Sequence, residues 1–177
     1  FLIYLKDSCM INLITPINNL GYGVAGYNIL KALLQSHGTT ALYPVGKPEF
    51  VDEYVQSGLD NRMPTAINCV WPSVKIWHQN DLHTHVGHGK HIGFPIFELT
   101  EFNDEEKISI AHCDRLFVCS QWAKDIVLDQ TSFPESSVRV VPLGVDTELF
   151  KPSAGTRPQT IFFNCGKWEK RKGHDVL

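Results

Sequence analysis

Short apolar runs closed by glycine, proline or asparagine alternate along this chain with segments whose apolar residues recur every three to four positions, and that alternation leaves few folds open. INLIT (11–15) reads as a first strand, ended by Pro16 and the turn-forming Asn18 and Asn19. From Gly23 onward Val24, Tyr27, Leu30 and Leu34, with Ile29 and Leu33 beside them, keep helical spacing until Gly38. TTALYPV (39–45) reads as a second strand, and EFVDEYVQ (49–56), ended by Gly58, as a short helix. TAINCV (65–70), VKIWH (74–78) and HIGFPIF (91–97) are further strands, Pro95 pushing the last toward an edge or an irregular course. Asn103, with Glu106 three residues on, marks a helix start for NDEEKISIAH. DRLFVCS (114–120) is then a strand, Ser120 caps the helix QWAKDIVLDQ, and VRVVPLG (138–144) is another buried strand. Strands linked by helices through short connections run parallel and are covered on both faces, so the expected fold is α/β, a Rossmann-like doubly wound, mostly parallel sheet.

With 177 residues the chain has room for one full domain and little more. Between Asp146 and Pro158 the composition turns to Lys, Pro, Ser, Gly and Thr, the signature of a linker. The expected organisation is an upstream extension over 1–9 (or else an extra edge strand), an N-terminal domain over 10–145, a linker over 146–159 and the truncated start of a second domain over 160–177. In that last piece TIFFNCG (160–166) reads as a strand and KRKGHDVL as the first turn of a helix.

Sixteen basic against nineteen acidic side chains give a net charge of -3, too little positive field to hold a nucleic-acid backbone. No apolar run approaches the roughly 18 residues of a membrane helix, and FLIYLKDSC is too short and too soon charged for a secretory signal. Five scattered cysteines without a CxxC pair fit reduced, mostly buried thiols, and with the preceding points make the cytoplasm the expected compartment.

Three stretches carry candidate chemistry. GYGVAG places Gly21, Gly23 and Gly26 in a GxGxxG pattern between strand and helix, where amides and a positive helix end can approach phosphate. A nicotinamide-type site would want the glycines directly after the strand and an acid about twenty residues on; here Thr15 to Leu20 intervene and 39–47 holds no acid. Turn-and-packing glycines, and a loop that reaches across a cleft toward a phosphate held mainly by another domain, are the other two readings. GKWEKRKG (166–173) sets Lys167, Lys170, Arg171 and Lys172 after a strand and at a helix mouth, an arrangement suited to a diphosphate, or else a solvated basic turn. His83, His85, His88 and His91 in HTHVGHGKH invite a metal, but without a neighbouring cysteine or an HExxH spacing exposed loop histidines are the expected outcome and no metal is assigned.

VPLGVDTELFKP (141–152), the following strand and GKWEKRKGHDVL (166–177), together with GYGVAG, FELTEF and CDRLFVCSQWAKDIV (113–127), closely resemble group 1 glycosyltransferases of family 4, which have the two-Rossmann-domain GT-B fold. The resemblance spans most of the chain. It implies transfer of a sugar from a nucleotide-sugar co-substrate to an acceptor hydroxyl, usually with retention and without a bound metal or other cofactor. The acceptor would be a saccharide, a lipid-linked or another hydroxyl compound; no nucleic acid is implied, and peripheral membrane contact is compatible with the sequence but not specified by it.

Carried over position by position, Gly21, Tyr22 and Gly23 match the family's amino-domain loop near the donor phosphates, and Lys172, before Gly173, matches its second phosphate cation. Lys167 stands where many members have arginine, keeping the charge and losing the bidentate fork; Arg171 directly precedes Lys172. Glu98 ends the strand segment IFELT where many members have histidine, and could accept a hydrogen bond from the acceptor hydroxyl or else pair structurally. His78, at the end of its own strand, is the other catalytic candidate, or packs. The family's paired donor-binding glutamates would lie beyond Leu177, so the isolated polypeptide is expected to show negligible transfer. The rival readings are a non-catalytic Rossmann-like binding module and, further off, a histidine-rich metal-binding protein.

Overall fold

The apolar run Ile11–Thr15 forms β1, buried along its whole length at the heart of a six-stranded sheet. In chain order follow α1 (Gly21–His37), β2 (Thr40–Pro44), α2 (Glu53–Asp60), β3 (Ser73–Lys75), β4 (His91–Gly93), α3 (Asp104–Ala111), β5 (Arg115–Val118), α4 (Gln121–Gln130) and β6 (Val138–Val140). This computed structural model describes residues 10–37, 39–63, 69–152, 155, 159–166, 168 and 170–174. The predicted extension over 1–9 lies outside them.

Every strand pair is parallel, in the order β2-β1-β3-β4-β5-β6. The chain thus runs outward from β1 to β2, then returns to β3 on the far side of β1, the reversal that defines a Rossmann-like doubly wound fold. Alternate residues feed two cores. Leu13, Leu42, Val74, Ile92 and Phe117 meet Leu30 and Leu33 of α1 and Val55 of α2. Leu116 and Val118 meet Ile110 of α3 and Ala123 and Val127 of α4 on the opposite face. Period-2 side chains on a sheet buried from both sides require this division.

Local chemistry sets the helix starts. Asn103 accepts from the Glu106 N–H at 2.9 Å while the Glu106 carboxylate accepts from the Asn103 N–H at 2.8 Å, completing the predicted capping box. Ser120 Oγ accepts from the Ala123 N–H at 3.1 Å and opens α4 as expected. Other boundaries moved. α2 begins at Glu53, capped by Asp52, and Gly58 lies inside it, where an added Cβ would come within 2.8 Å of Leu42 Cβ; close packing against β2, not helix termination, accounts for that glycine. β3 and β4 stop after three residues each, short of the predicted 78 and 97. Of the predicted strand at 65–70, residues 65–68 lie outside those described, and Cys69 and Val70 are not in a strand.

The chain divides into two compact units, Phe1–Leu143 with the whole sheet and Gly144–Leu177. The second holds a single-turn 3-10 helix, Lys170–Lys172, followed by Gly173 at φ 68°. TIFFNCG (160–166) is not a strand, contrary to expectation: Ile161, Phe162 and Phe163 are exposed and meet no strand partner among the described residues, and an apolar run without a ladder to join has no backbone pairing to hold it extended. Of the helix expected from Lys170, the described residues form only that 3-10 turn, and 175–177 lie outside them.

Of the cysteines, Cys69 and Cys113 are buried, Cys119 is half-buried and Cys165 exposed, all as free thiols. Burial pushes the Cys113 thiol up to about 12, so it stays protonated. No helix among the described residues is long and apolar enough to cross a membrane.

The histidine segment divides. His83, His85 and His88 are exposed as expected, but His91 is buried in β4: its Nε2 donates to the Leu82 carbonyl, its Nδ1 has no hydrogen-bond partner among the described residues, and His85 stacks on its ring at 4.8 Å. The sheet register demands it, because His91 pairs with Ser73 on an interior strand. No group of three or more His, Cys, Asp or Glu able to hold a metal forms among the described residues. Burial lowers the His91 pKa below its usual 6.5, with His85 and Lys75 adding to the fall against Leu82 and Asp114. The unfolded chain therefore takes up this proton first as pH falls through 6.5, and stability drops with acidification in that window. Urea midpoints at pH 7.5 and 5.5 are expected to show the loss, and His91→Asn, which keeps an N–H for Leu82, to reduce the difference.

Candidate functional site

Ligands of open parallel sheets bind outside the carboxyl ends of the strands where the strand order reverses, here between β1 and β3. The segment after β1 turns through Asn18, whose Oδ1 accepts from the Leu20 N–H at 3.0 Å, and α1 then starts at Gly21. The predicted glycine loop is therefore the first helical turn. Asn18 organises the chain for helix entry two residues earlier than the apolar spacing indicates.

The three glycines do different things. A Cβ on Gly26 would fall 1.9 Å from Thr15 Oγ1, so its absence lets α1 lie directly on the end of β1. One on Gly23 would strike the Asn18 backbone and side chain at 2.2 to 2.6 Å. Gly21 meets nothing within 4 Å. Packing thus accounts for Gly23 and Gly26, and the space in front of Gly21 is open. The N–H groups of Gly21, Tyr22 and Gly23 have no intrahelical acceptor by helix geometry and carry the positive end of the α1 dipole.

Tyr22 ties this turn to the neighbouring strands. Its hydroxyl donates to the Ile96 carbonyl, and its ring packs on His78 at 4.5 Å and Trp77 at 5.4 Å between centroids. Burial pushes its hydroxyl up to about 12, the charges of Cys119 and Glu98 adding to the rise. Tyr22 is consequently a neutral donor that anchors the segment after β4, and only its backbone amide remains for a phosphate.

His78 follows β3 and is exposed; its carbonyl accepts from the Asp81 N–H at 3.1 Å, turning the chain away from the sheet. Glu98, also exposed, lies two residues beyond the anchored Ile96 and close enough for its charge to act on Tyr22. The structure thus brings Tyr22, His78 and Glu98 to one edge of the sheet. Trp77, which braces His78 edge-on at 4.9 Å, was missed in the sequence; its only signal was its place beside His78 at a strand end. Also unforeseen was Trp122, in the first turn of α4, whose ring lies 5.9 Å from Phe97.

A nicotinamide-type ribose site gains no support. β2 ends at Tyr43 and Pro44 without a carboxylate, and Glu49 beyond it accepts from the Asn19 N–H and side-chain amide at 3.2 and 3.3 Å.

The candidate cations belong to the second unit. Lys167 lies outside the described residues, as does the side chain of Arg171. Lys172 is exposed, and an added Cβ at Gly166 would stand 3.8 Å from its stem. The Asn164 amide donates to the Lys172 carbonyl at 3.4 Å and lies 3.2 Å from His174 Nδ1, while Trp168 stacks on His174 at 4.9 Å. These contacts close 164–174 into a loop with Lys172 at its surface.

A scan against protein families and a search of curated proteins return no match to this chain.

Proposed function

We propose that this chain takes part in transferring a sugar from a nucleotide-sugar donor to an acceptor hydroxyl, with retention at the anomeric carbon. The observation that carries the reading is the meeting of Tyr22, His78 and Glu98 at the carboxyl edge of the sheet, beside the start of α1, where the space in front of Gly21 is open. Motif resemblance supports the same reading: Gly21, Tyr22, Gly23 and Lys172 match positions of a family of such enzymes, Lys167 keeps the charge of an arginine there, and Glu98 stands where many members have histidine.

In this mechanism Glu98 accepts a hydrogen bond from the acceptor hydroxyl, and His78 stands at the same edge to orient it. The leaving diphosphate gathers negative charge as the glycosidic bond breaks. Backbone amides at the start of α1 are donors suited to that charge, and Lys167, Arg171 and Lys172 are the cations that the resemblance implies for it. Tyr22 holds the Glu98 segment in place and transfers no proton, since its hydroxyl stays neutral.

Titrating the isotope-labelled chain with UDP, GDP and ADP, each against its nucleoside, tests this. A diphosphate is expected to shift the amide signals of residues 21–23 and the nucleoside to leave them. Lys172→Ala is expected to weaken binding about tenfold, the loss of one charge-assisted hydrogen bond. Unmoved amides with all three diphosphates would refute the proposal.

A further inference from the structure

Trp122 is 45% exposed, and it does not stand alone. Its indole leans on Phe97, whose ring meets buried Phe102 edge-on at 5.0 Å, so the platform is braced from below. Phe97 is the residue before Glu98, and Leu99 after it is 46% exposed. The two residues before the carboxylate are therefore anchored, Ile96 by Tyr22 on its carbonyl and Phe97 by its place between Trp122 and Phe102. β4, which leads into it, lies between β3, ending near Trp77 and His78, and β5, which leads into Trp122. Aromatic residues consequently follow the strands on either side of the one that leads to the carboxylate.

From this juxtaposition we infer that the acceptor is a neutral saccharide whose terminal ring lies on Trp122 with a hydroxyl directed to Glu98. The inference rests on the sugar-transfer reading and names its acceptor. A pyranose presents an apolar C–H face and a rim of hydroxyls, and an indole next to a hydrogen-bond acceptor complements both. Charge excludes the anionic alternatives. Besides Glu98 the stretch 98–105 holds exposed Glu101, Asp104 and Glu105 and no basic residue, a field that repels phosphorylated sugars and uronic acids. A lipid chain would gain nothing from that carboxylate and would be penalised for desolvating it.

The full chain is to be titrated with maltose, lactose, chitobiose and mannobiose, and with a digalacturonate, by saturation-transfer NMR and tryptophan fluorescence. At least one neutral disaccharide is expected to bind and the digalacturonate is not. Trp122→Ala is expected to weaken binding at least tenfold, Trp122→Phe no more than about threefold, and Glu98→Gln to weaken it without abolishing it. Circular dichroism of each variant confirms the fold, and the conservative Trp122→Phe carries the comparison if Trp122→Ala does not fold. Neutral disaccharide binding that survives Trp122→Ala, or preference for the digalacturonate, overturns the inference. No binding by any disaccharide, while UDP, GDP or ADP still shifts the amides of residues 21–23, overturns it as well and leaves sugar transfer standing; silence in both titrations removes the two together.

Discussion

Gly26→Ala is expected to destabilise the sheet unit by about 3 kcal/mol, at the upper end of the usual cost of overpacking. The added methyl would fall 1.9 Å from Thr15 Oγ1 and 2.7 to 2.8 Å from the other Thr15 side-chain carbons, all on the end of a fully buried strand. β1 is interior to the sheet, so it cannot retreat, and α1 must lift instead. In thermal unfolding the loss corresponds to roughly 6–12 °C in Tm. Thr15→Ala removes the two nearest atoms, so the double variant is expected to lose less than the two single variants summed. A Gly26→Ala protein melting within about 2 °C of the parent would contradict this packing. Lifting α1 would also carry Tyr22 away from Ile96, and the diphosphate-induced shifts at residues 21–23 should shrink with it.

The second large effect is expected at Asp81. Lys75 is among the largest fully buried side chains of the described residues, at 2% exposure; its ammonium lies 3.3 Å from Asp81 Oδ1 and donates to Thr84 Oγ1. Asp81→Asn leaves a buried cation without its counter-charge. Removing one partner of a fully buried pair costs about 3–5 kcal/mol, and because the Asp81 carboxylate is 41% exposed and partly screened, about 2 kcal/mol is expected here. Lys75→Met removes the charge as well and is expected to cost less than Asp81→Asn. The reverse order in chemical denaturation would show that the pair holds the fold by attraction rather than by avoiding a stranded charge.

The pH profile offers an independent check on the same pair. Burial holds the Lys75 ammonium below its usual 10.5, opposed by Asp81. Between the depressed folded value and 10.5 the unfolded chain binds the proton that the folded chain has released, so stability contributed by this group rises with pH across that window. Asp81→Asn lowers the folded value further and is expected to steepen the rise, and Lys75→Met to remove it.

Packing was one reading of the GYGVAG glycines, but the contact of Gly26 with Thr15 and the burial of Lys75 were not accessible from sequence. Lysine in a short strand between serine, valine and isoleucine carries no mark of burial; it is buried because β3 lies between β1 and β4. The capping box of Asn103 and Glu106 and the Ser120 cap were legible, because both partners stand three residues apart. The 160–166 run shows where local reading fails: β-prone residues specify a strand only when a neighbouring strand supplies hydrogen bonds. The candidate site divides in the same way. His78 was singled out from its place at a strand end and Glu98 from the motif resemblance, whereas Trp77 and Trp122 gained meaning only from Tyr22 and Phe97, neighbours brought by folding.

The order of residues by itself determined an α/β chain with helices starting where capping side chains stand, since periodicity and capping act over a few positions. Tertiary structure alone decided the strand order, the burial of Lys75 and His91, and the assembly of Tyr22, His78 and Glu98 at one edge. Those outcomes depend on contacts between residues tens of positions apart, and a long-range contact forms only when the packing of both cores outweighs the entropy of closing the intervening chain.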